Sequence, residues 1–394
     1  MKKITLAALM LLMLLAGLQA LAEAPDISDQ AVFTSDVPKR DILRLTDRKL
    51  NTVWQGKRGK GALQIHSPEA CHGLYISWNQ APRAFSIEQK QGGQWVQVMQ
   101  VPESPYMHQY YPLDGLHDIR LVPDNDNGKN FDIQEIYLLG QGELPDWVQR
   151  WEPTVENADL MVFFAHPDDE VLFFGGTIPY YAGQRQLKVL PVALSTGNPQ
   201  RISELLNSLW SLGQRHYPVL GPFDDRYSYN LETAYTHAGK RKAQTFITEI
   251  YRRYKPKVVV SHDVGGEYGH GMHRLCADLA FNGIAFAADP ARYPESAALY
   301  GTHQVQKLYL HLYKERNADV QLEMDWDRPL SAFEGQTGYE LAMAAYQFHL
   351  SQHRYEQYKV EPRGSRHSSY LFGLRYSAVG ADINKDDFME HVLP

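Results

Sequence analysis

Cysteine is nearly absent from this chain: Cys71 and Cys276 are the only two among 394 residues. Two thiols cannot build a disulfide framework, so a hydrophobic core has to hold the fold even if the chain is exported. They fall in different domains by the division given below. Cys276 sits on an apolar helix face and reads as core, where a thiol is commonly inert, with a metal role as the lesser alternative. Positive charge is also short, since 39 Lys+Arg stand against 46 Asp+Glu, a formal net charge of -7. Without a basic surplus there is no footprint for a phosphate backbone, and nucleic acid is excluded as a partner. Low-complexity tracts and solenoid-period repeats are missing too, which excludes repeat and disordered architectures.

What is present fits a soluble globular protein, with 44% hydrophobic and 22% charged residues. A length of 394 residues exceeds one ordinary core and implies two domains. The start carries Lys2 and Lys3, an apolar run over residues 4–18, then Ala20, Leu21 and Ala22. These make the charged, apolar and small-residue regions of a signal peptide, expected over residues 1–22. The run is short for a bilayer span, and no cysteine follows it to carry lipid. The expectation is a secreted, extracellular protein with no stable membrane anchor after cleavage.

Over residues 41–140 the apolar pattern has period two, as in the stretches 61–65, 74–78 and 133–138, which reads as half-buried strands. The runs 85–90 and 94–98 are separated by Gln91, Gly92 and Gly93, whose glycines suit a tight hairpin. Short strands with Gly, Pro and Asn between them predict an antiparallel β-sandwich over residues 27–142. Residues 143–157, with Pro145 and Pro153, read as a linker. From 158 to 394 the period changes. Apolar strands at 159–165, 187–195 and 257–261 alternate with helical spacing at 201–212, 240–254 and 272–286, and the glycine pair 175 and 176 leads into a further helix. That alternation predicts an α/β domain, a Rossmann-like mostly parallel sheet with flanking helices.

Two clusters carry chemistry. In the first, residues 163–170, an apolar strand runs out into His166, Pro167, Asp168, Asp169 and Glu170, where open α/β sheets place their sites. His166 and Asp169 are three apart and can reach one ion, while Asp168 faces elsewhere. A helix cap would explain one aspartate, but not a histidine with two adjacent carboxylates. The second, residues 265–274, again follows an apolar strand and sets His270 and His273 on one side of a first helical turn. Alone, this spacing is weak. Two strand-end clusters together supply two histidines and a carboxylate, the donor set of a catalytic zinc.

Residues 165–169, A-H-P-D-D, are intact as they occur in the PIG-L/LmbE-like N-acetylglucosaminyl de-N-acetylases, and the chain resembles that family over roughly 158–285. The resemblance implies a zinc hydrolase that removes acetyl from an N-acetylated amino sugar or glycan. It implies His166, Asp169 and His273 as ligands, Asp168 as general base, and His270 as the group that stabilises the oxyanion or protonates the leaving amine. Tyr268 matches a tyrosine that assists at the carbonyl. Residues 201–205 match R-x-x-E-L, whose arginine, here Arg201, contacts sugar hydroxyls. Asp225 is a candidate carboxylate over the sugar, against the reading of a solvated loop. Where many members have Pro and Asp between the two histidines, this chain has Gly271 and Met272, and Asp263 is the expected substitute for tuning His270.

The stretch with Leu45, Thr46 and Asp47, followed by residues 51–54, resembles the start of discoidin-like sandwiches, which often bind sugars. A spacer module with core tryptophans is the equal alternative. His216, His237, His262 and His303 have no distinguishing spacing and read as surface or satisfied core residues. Residues 370–376 read as a late strand or a pocket wall. Two other functions stay open: a metal-containing carbohydrate-binding protein without catalysis, and a zinc amidase for a non-sugar amide, since fold and metal do not fix the substrate. The acceptor and the oligomeric state are left undetermined.

Overall fold

The computed structural model describes residues 22–35, 42–56, 62–124, 131–313 and 321–393. The expected signal peptide over residues 1–22 lies, apart from Ala22, outside them. No helix among the described residues is long and apolar enough to cross a membrane. The chain divides into two units, Met1–Gln149 and Arg150–Pro394.

Among the described residues the first unit has seven strands: β1 Val32–Ser35, β2 Trp54–Gln55, β3 Leu63–Trp78, β4 Phe85–Gln91, β5 Gln94–Val101, β6 His108–Pro123 and β7 Asp132–Leu139. All pairings are antiparallel, in the order β2-β7-β3-β6-β4-β5, with β1 also on β3. The 16-residue strand β3 pairs with β1 through residues 63–66 and with β7 through residues 73–78, and its register on β6 shifts between His66 and Gly73. Both halves bury their side chains in one core, where Leu63 and Ile65 join Leu74, Ile76, Phe85 and Ile136. A single sheet bent at these irregularities therefore makes the two layers of the expected sandwich. Trp54 and Trp78 are core residues. The hairpin of β4 and β5 turns on two residues, with Gly92 at φ 58° and Gly93 at φ 86°, because consecutive positive φ angles match the twist of the flanking strands.

In the second unit the strands are β8 Leu160–Phe164, β9 Val189–Ser195, β10 Val219–Phe223, β11 Val258–Ser261, β12 Lys307–His311, β13 Gln321–Glu323 and β14 Leu371–Ser377. The order is β10-β9-β8-β11-β12-β14-β13. The first five run parallel, while β14 is antiparallel to both its neighbours. β8, β9 and β11 are buried at every residue, as strands covered on both faces must be. The helices are α1 Asp169–Leu172, α2 Pro199–Ser211, α3 Leu231–Ala238, α4 Lys240–Tyr254, α5 Gly271–Ala288, α6 Pro294–Tyr300 and α7 Gly338–Tyr346. The glycine pair is followed by a short helical segment, Pro179–Gln184. Residues 150–157 pack within this unit, with Trp151 edge-on to Trp210 and Tyr217.

From β8 the chain builds outward through β9 to β10, then returns to lay β11 on the other side of β8. The carboxyl ends of β8 and β11 thus form the switch point where an open α/β sheet leaves a crevice. Cys276, on the buried face of α5, lies in the core, and burial pushes its thiol well above the usual range. That is an inert packing residue.

Candidate active site and metal centre

β8 ends at Phe164, and His166 follows within two residues. Asp169 opens α1, and Asp168 before it has φ 120° and ψ -29°. A non-glycine residue in that region is strained, and such strain persists where the surroundings over-determine it. Here Glu170 accepts a hydrogen bond from the Asp168 amide at 2.8 Å and is itself held by Ser208 Oγ at 2.6 Å and His349 Nε2 at 2.6 Å. On the other side of the crevice, β11 leads through His262 and the turn Glu267–Gly269 to His270, which caps α5. Tyr268 within that turn also has positive φ, 56°.

The two clusters meet. Asp169 Oδ1 lies 3.4 Å from His273 Nε2, and Asp169 Oδ2 lies 3.3 Å from His166 Nδ1. Two atoms bound at zinc distances to one tetrahedral ion are about 3.3 Å apart; each contact has that separation, through a different Asp169 oxygen. The buried Nε2 of His166 has no hydrogen-bond partner among the described residues. His273 donates from Nδ1 to Glu267 Oε2 at 2.9 Å and turns its Nε2 toward Asp169; burial opposes its charge, but Asp169 and Glu267 push the imidazole up to about 10. His166, His270 and His273 form one group with metal-ligand spacing, and Asp169, His262 and His273 another. Hydrogen bonds decide among them. The Ala165 amide donates to His262 Nε2 at 3.1 Å, and the Met272 amide donates to His270 Nδ1 at 3.2 Å. His262 has thereby spent its inward lone pair, and a neutral His270 carries its proton on Nε2 as a donor. Asp169, His166 and His273 are still able to offer a donor atom each, a carboxylate with two imidazoles, the chemistry that a divalent transition metal accepts.

The adjacent carboxylates have opposite environments. Burial pushes the Asp168 carboxyl above its usual range, partly offset by the Arg201 guanidinium. Burial acts on Asp169 as well, yet His273 and His262 hold it well below that range. The two neighbouring acids are thus driven in opposite directions, Asp169 toward its anion and Asp168 toward its acid. Burial, followed by the adjoining His166 and His273 rings, pushes His270 down to about 2, so it stays neutral.

Arg201, one of the sugar-contact candidates, is engaged by protein groups. It donates to the Pro167 carbonyl, lies 3.3 Å from Asp168 Oδ1 and is ion-paired with Asp225. Asp225 Oδ1 in turn lies 3.6 Å from His166 Nε2. Both line a cleft of about 850 Å³ together with Asp168, Tyr268, His270 and the metal-set residues. Every site residue read from the sequence is thus gathered at one place.

Asp263 does not take the expected place beside His270, whose Nδ1 is occupied by the Met272 amide. The carboxylate at the centre is Glu267, fully buried, which accepts from His262 Nδ1 at 2.8 Å, His273 Nδ1 at 2.9 Å and His311 Nδ1 at 2.7 Å. Burial opposes its charge, but His262 and the other imidazoles hold it well below the usual range. His262, read as undistinguished, is a satisfied core residue as expected, but one that supports the metal set. Gly271 has a packing reason: a Cβ there would lie 2.4 Å from the Asn230 carbonyl oxygen.

Residues 161–284 match the family model described as PIG-L, GlcNAc-PI de-N-acetylase. A 1D-myo-inositol 2-acetamido-2-deoxy-alpha-D-glucopyranoside deacetylase of Frankia alni is 26% identical over 196 residues, covering 42% of this chain and 67% of the relative. The chain spans about half to two thirds of the length of such curated relatives. Among solved structures, N,N'-diacetylchitobiose deacetylase from Pyrococcus horikoshii is 21% identical with a TM-score of 0.38, covering 50% of this chain and 71% of that one. A family 32 carbohydrate-binding module from Streptococcus pneumoniae EndoD is 17% identical with a TM-score of 0.26, covering 30% of this chain and all of the module.

Proposed function

We propose that this chain, whose residues 161–284 are a PIG-L domain, is a zinc-dependent hydrolase that removes the acetyl group from an N-acetylglucosamine-containing glycan or glycoconjugate, giving acetate and a free amino sugar. The pattern over residues 2–22 supports action outside the cell. The observation that carries the reading is the placement of Asp168, a buried acid on strained backbone, beside the neighbouring side chains of His166, Asp169 and His273.

A zinc ion held by His166, Asp169 and His273 would polarise the acetamide carbonyl and acidify water. Asp168, braced by Glu170 and Arg201, takes a proton from the attacking water. The neutral His270, with Nδ1 tied to its helix, points its Nε2 proton at the carbonyl oxygen as charge develops there. Tyr268, on the same turn, brings a hydroxyl to the cleft for the same oxygen. Asp168 then returns the proton to the departing nitrogen, and that return requires the raised affinity that burial gives it. Arg201 and Asp225 border the sugar, Arg201 serving first to aim the base.

Acetate release tests this, with N-acetylglucosamine oligomers beside N-acetyl amino acids as substrates, and zinc-loaded beside chelator-treated protein. Zinc-dependent release from the sugars alone is expected. Release from the amino acids alone would favour the non-sugar amidase, and release from neither would leave a binding protein.

A further inference from the structure

Tyrosines are exposed at the cleft, where Tyr227, Tyr268 and Tyr355 line it, and beside it, where Tyr229 packs on Tyr227. Tyr227 is 56% exposed, Tyr229 75%, Tyr268 38% and Tyr355 36%. They form two runs leading away from the reacting centre. In one, Tyr227 lies edge-on to His270 at 4.9 Å, and Tyr229 lies edge-on to Tyr227 at 4.9 Å. In the other, Tyr358 lies 5.8 Å from Tyr268, and Tyr355 lies 5.5 Å from Tyr358. Solvent-facing rings in sequence cost solvation unless something covers them.

The second run is built on firm ground. The segment before it is pinned by His349 on Glu170 at 2.6 Å and by the Ser351 amide on Glu204 at 2.9 Å, and the Tyr358 carbonyl accepts from Tyr346 Oη at 2.7 Å. All of this lies beyond residue 284, where the family match ends. The wall is therefore attached to the same Glu170 that holds Asp168 in place, and its rings are pre-positioned with respect to the base. The chemistry between the rings is polar, from Asn198, Gln352, Arg354 and Gln357, and Leu172 is the single aliphatic side chain among the lining residues. An acyl chain would find little to pack against. Rings with hydroxyl edges alternating with amides suit pyranoses, whose C–H faces are apolar and whose rims carry hydroxyls.

We propose that the cleft binds an oligosaccharide of more than two units, with the acetylated unit at the metal set and neighbouring units on Tyr227 with Tyr229 and on Tyr358 with Tyr355. This rests on the deacetylase reading and specifies its substrate. The test compares kcat/KM for acetate release from chitin oligomers of one, two, four and six units, in the zinc-loaded full chain and in a Tyr229→Ala, Tyr355→Ala double variant. Wild type is expected to gain at least about tenfold from one unit to four, a gain that a few stacking contacts supply. In the double variant the ratio of tetramer to monomer should fall close to one. Equal rates at all lengths in wild type would overturn the proposal, as would a gain that survives in the variant, or a variant that loses monomer and tetramer activity alike. Calorimetry of tetramer binding to zinc-loaded Asp168→Asn protein, with and without the two tyrosine changes, separates the two readings. Tyrosine-dependent binding with no acetate from any oligomer would keep the subsites and sink the deacetylase. Neither binding nor acetate would remove both.

Discussion

Glu267 accepts hydrogen bonds from three imidazoles, and one of these belongs to the metal set. Such a partner fixes the tautomer and orientation of a ligand, and its loss commonly costs 10–100-fold in metal affinity. Glu267→Gln is expected to weaken zinc binding by roughly that factor in competition with a chromogenic chelator, while circular dichroism stays native. Unchanged affinity would contradict the role. Two of these histidines, with His166, share a mark that was present in the sequence: each closes a buried parallel strand, His166 after β8, His262 after β11 and His311 at the end of β12. Spacing within a motif singled out His166, His270 and His273, because those lie near other donors along the chain. It passed over His262 and His311, whose meaning comes from β8, β11 and β12 being neighbours in the sheet, and strand order is not a local property.

At the scale of elements, α5 delivers both His270 and His273 from its first turn, and Gly271 sets how closely that turn approaches residues 228–230. Its amide donates to the Ser228 carbonyl at 2.6 Å, and an added methyl would meet the Asn230 carbonyl oxygen. Gly271→Ala should therefore cost about 1–3 kcal/mol through overpacking and lower kcat through displaced histidines; a wild-type Tm and rate would show that the loop yields freely. α2 has a similar duty. Asn198 caps it by accepting from the Arg201 amide at 3.1 Å, so Asn198→Ala should lower stability by about 1 kcal/mol, read in a thermal melt. The regular elements were legible because their apolar periods are strong: the expected helix over 240–254 is found as Lys240–Tyr254. The bend of β3 was not read, although Pro68 and Gly73 flank the place where the register on β6 shifts and both residues commonly mark strand irregularities. Nor was the wall at 349–358, whose position depends on the distant carboxylates Glu170 and Glu204.

For the whole molecule, stability should depend on pH through the sandwich as well as the catalytic unit. His108 is buried with Nδ1 2.9 Å from Gln149 Oε1 and Nε2 2.8 Å from Ser77 Oγ, and burial lowers it to about 4. An unfolded histidine titrates near 6.5. Between these values the unfolded chain binds the extra proton, so the contribution is complete above pH 6.5 and is lost as pH falls toward 4. The loss is on the order of 3 kcal/mol, and a His108→Gln variant should show a flatter stability profile from pH 6.5 to 4 in chemical denaturation; identical slopes would contradict the assignment. In the proposed reaction two adjacent aspartates divide the work, Asp169 holding metal and Asp168 moving protons. The most direct test of this division is the Asp168→Ala protein with zinc content and acetate release measured on the same sample. Full zinc occupancy is expected, with activity lower by roughly a hundredfold or more. Wild-type activity with zinc retained, or loss of zinc together with activity, would contradict it.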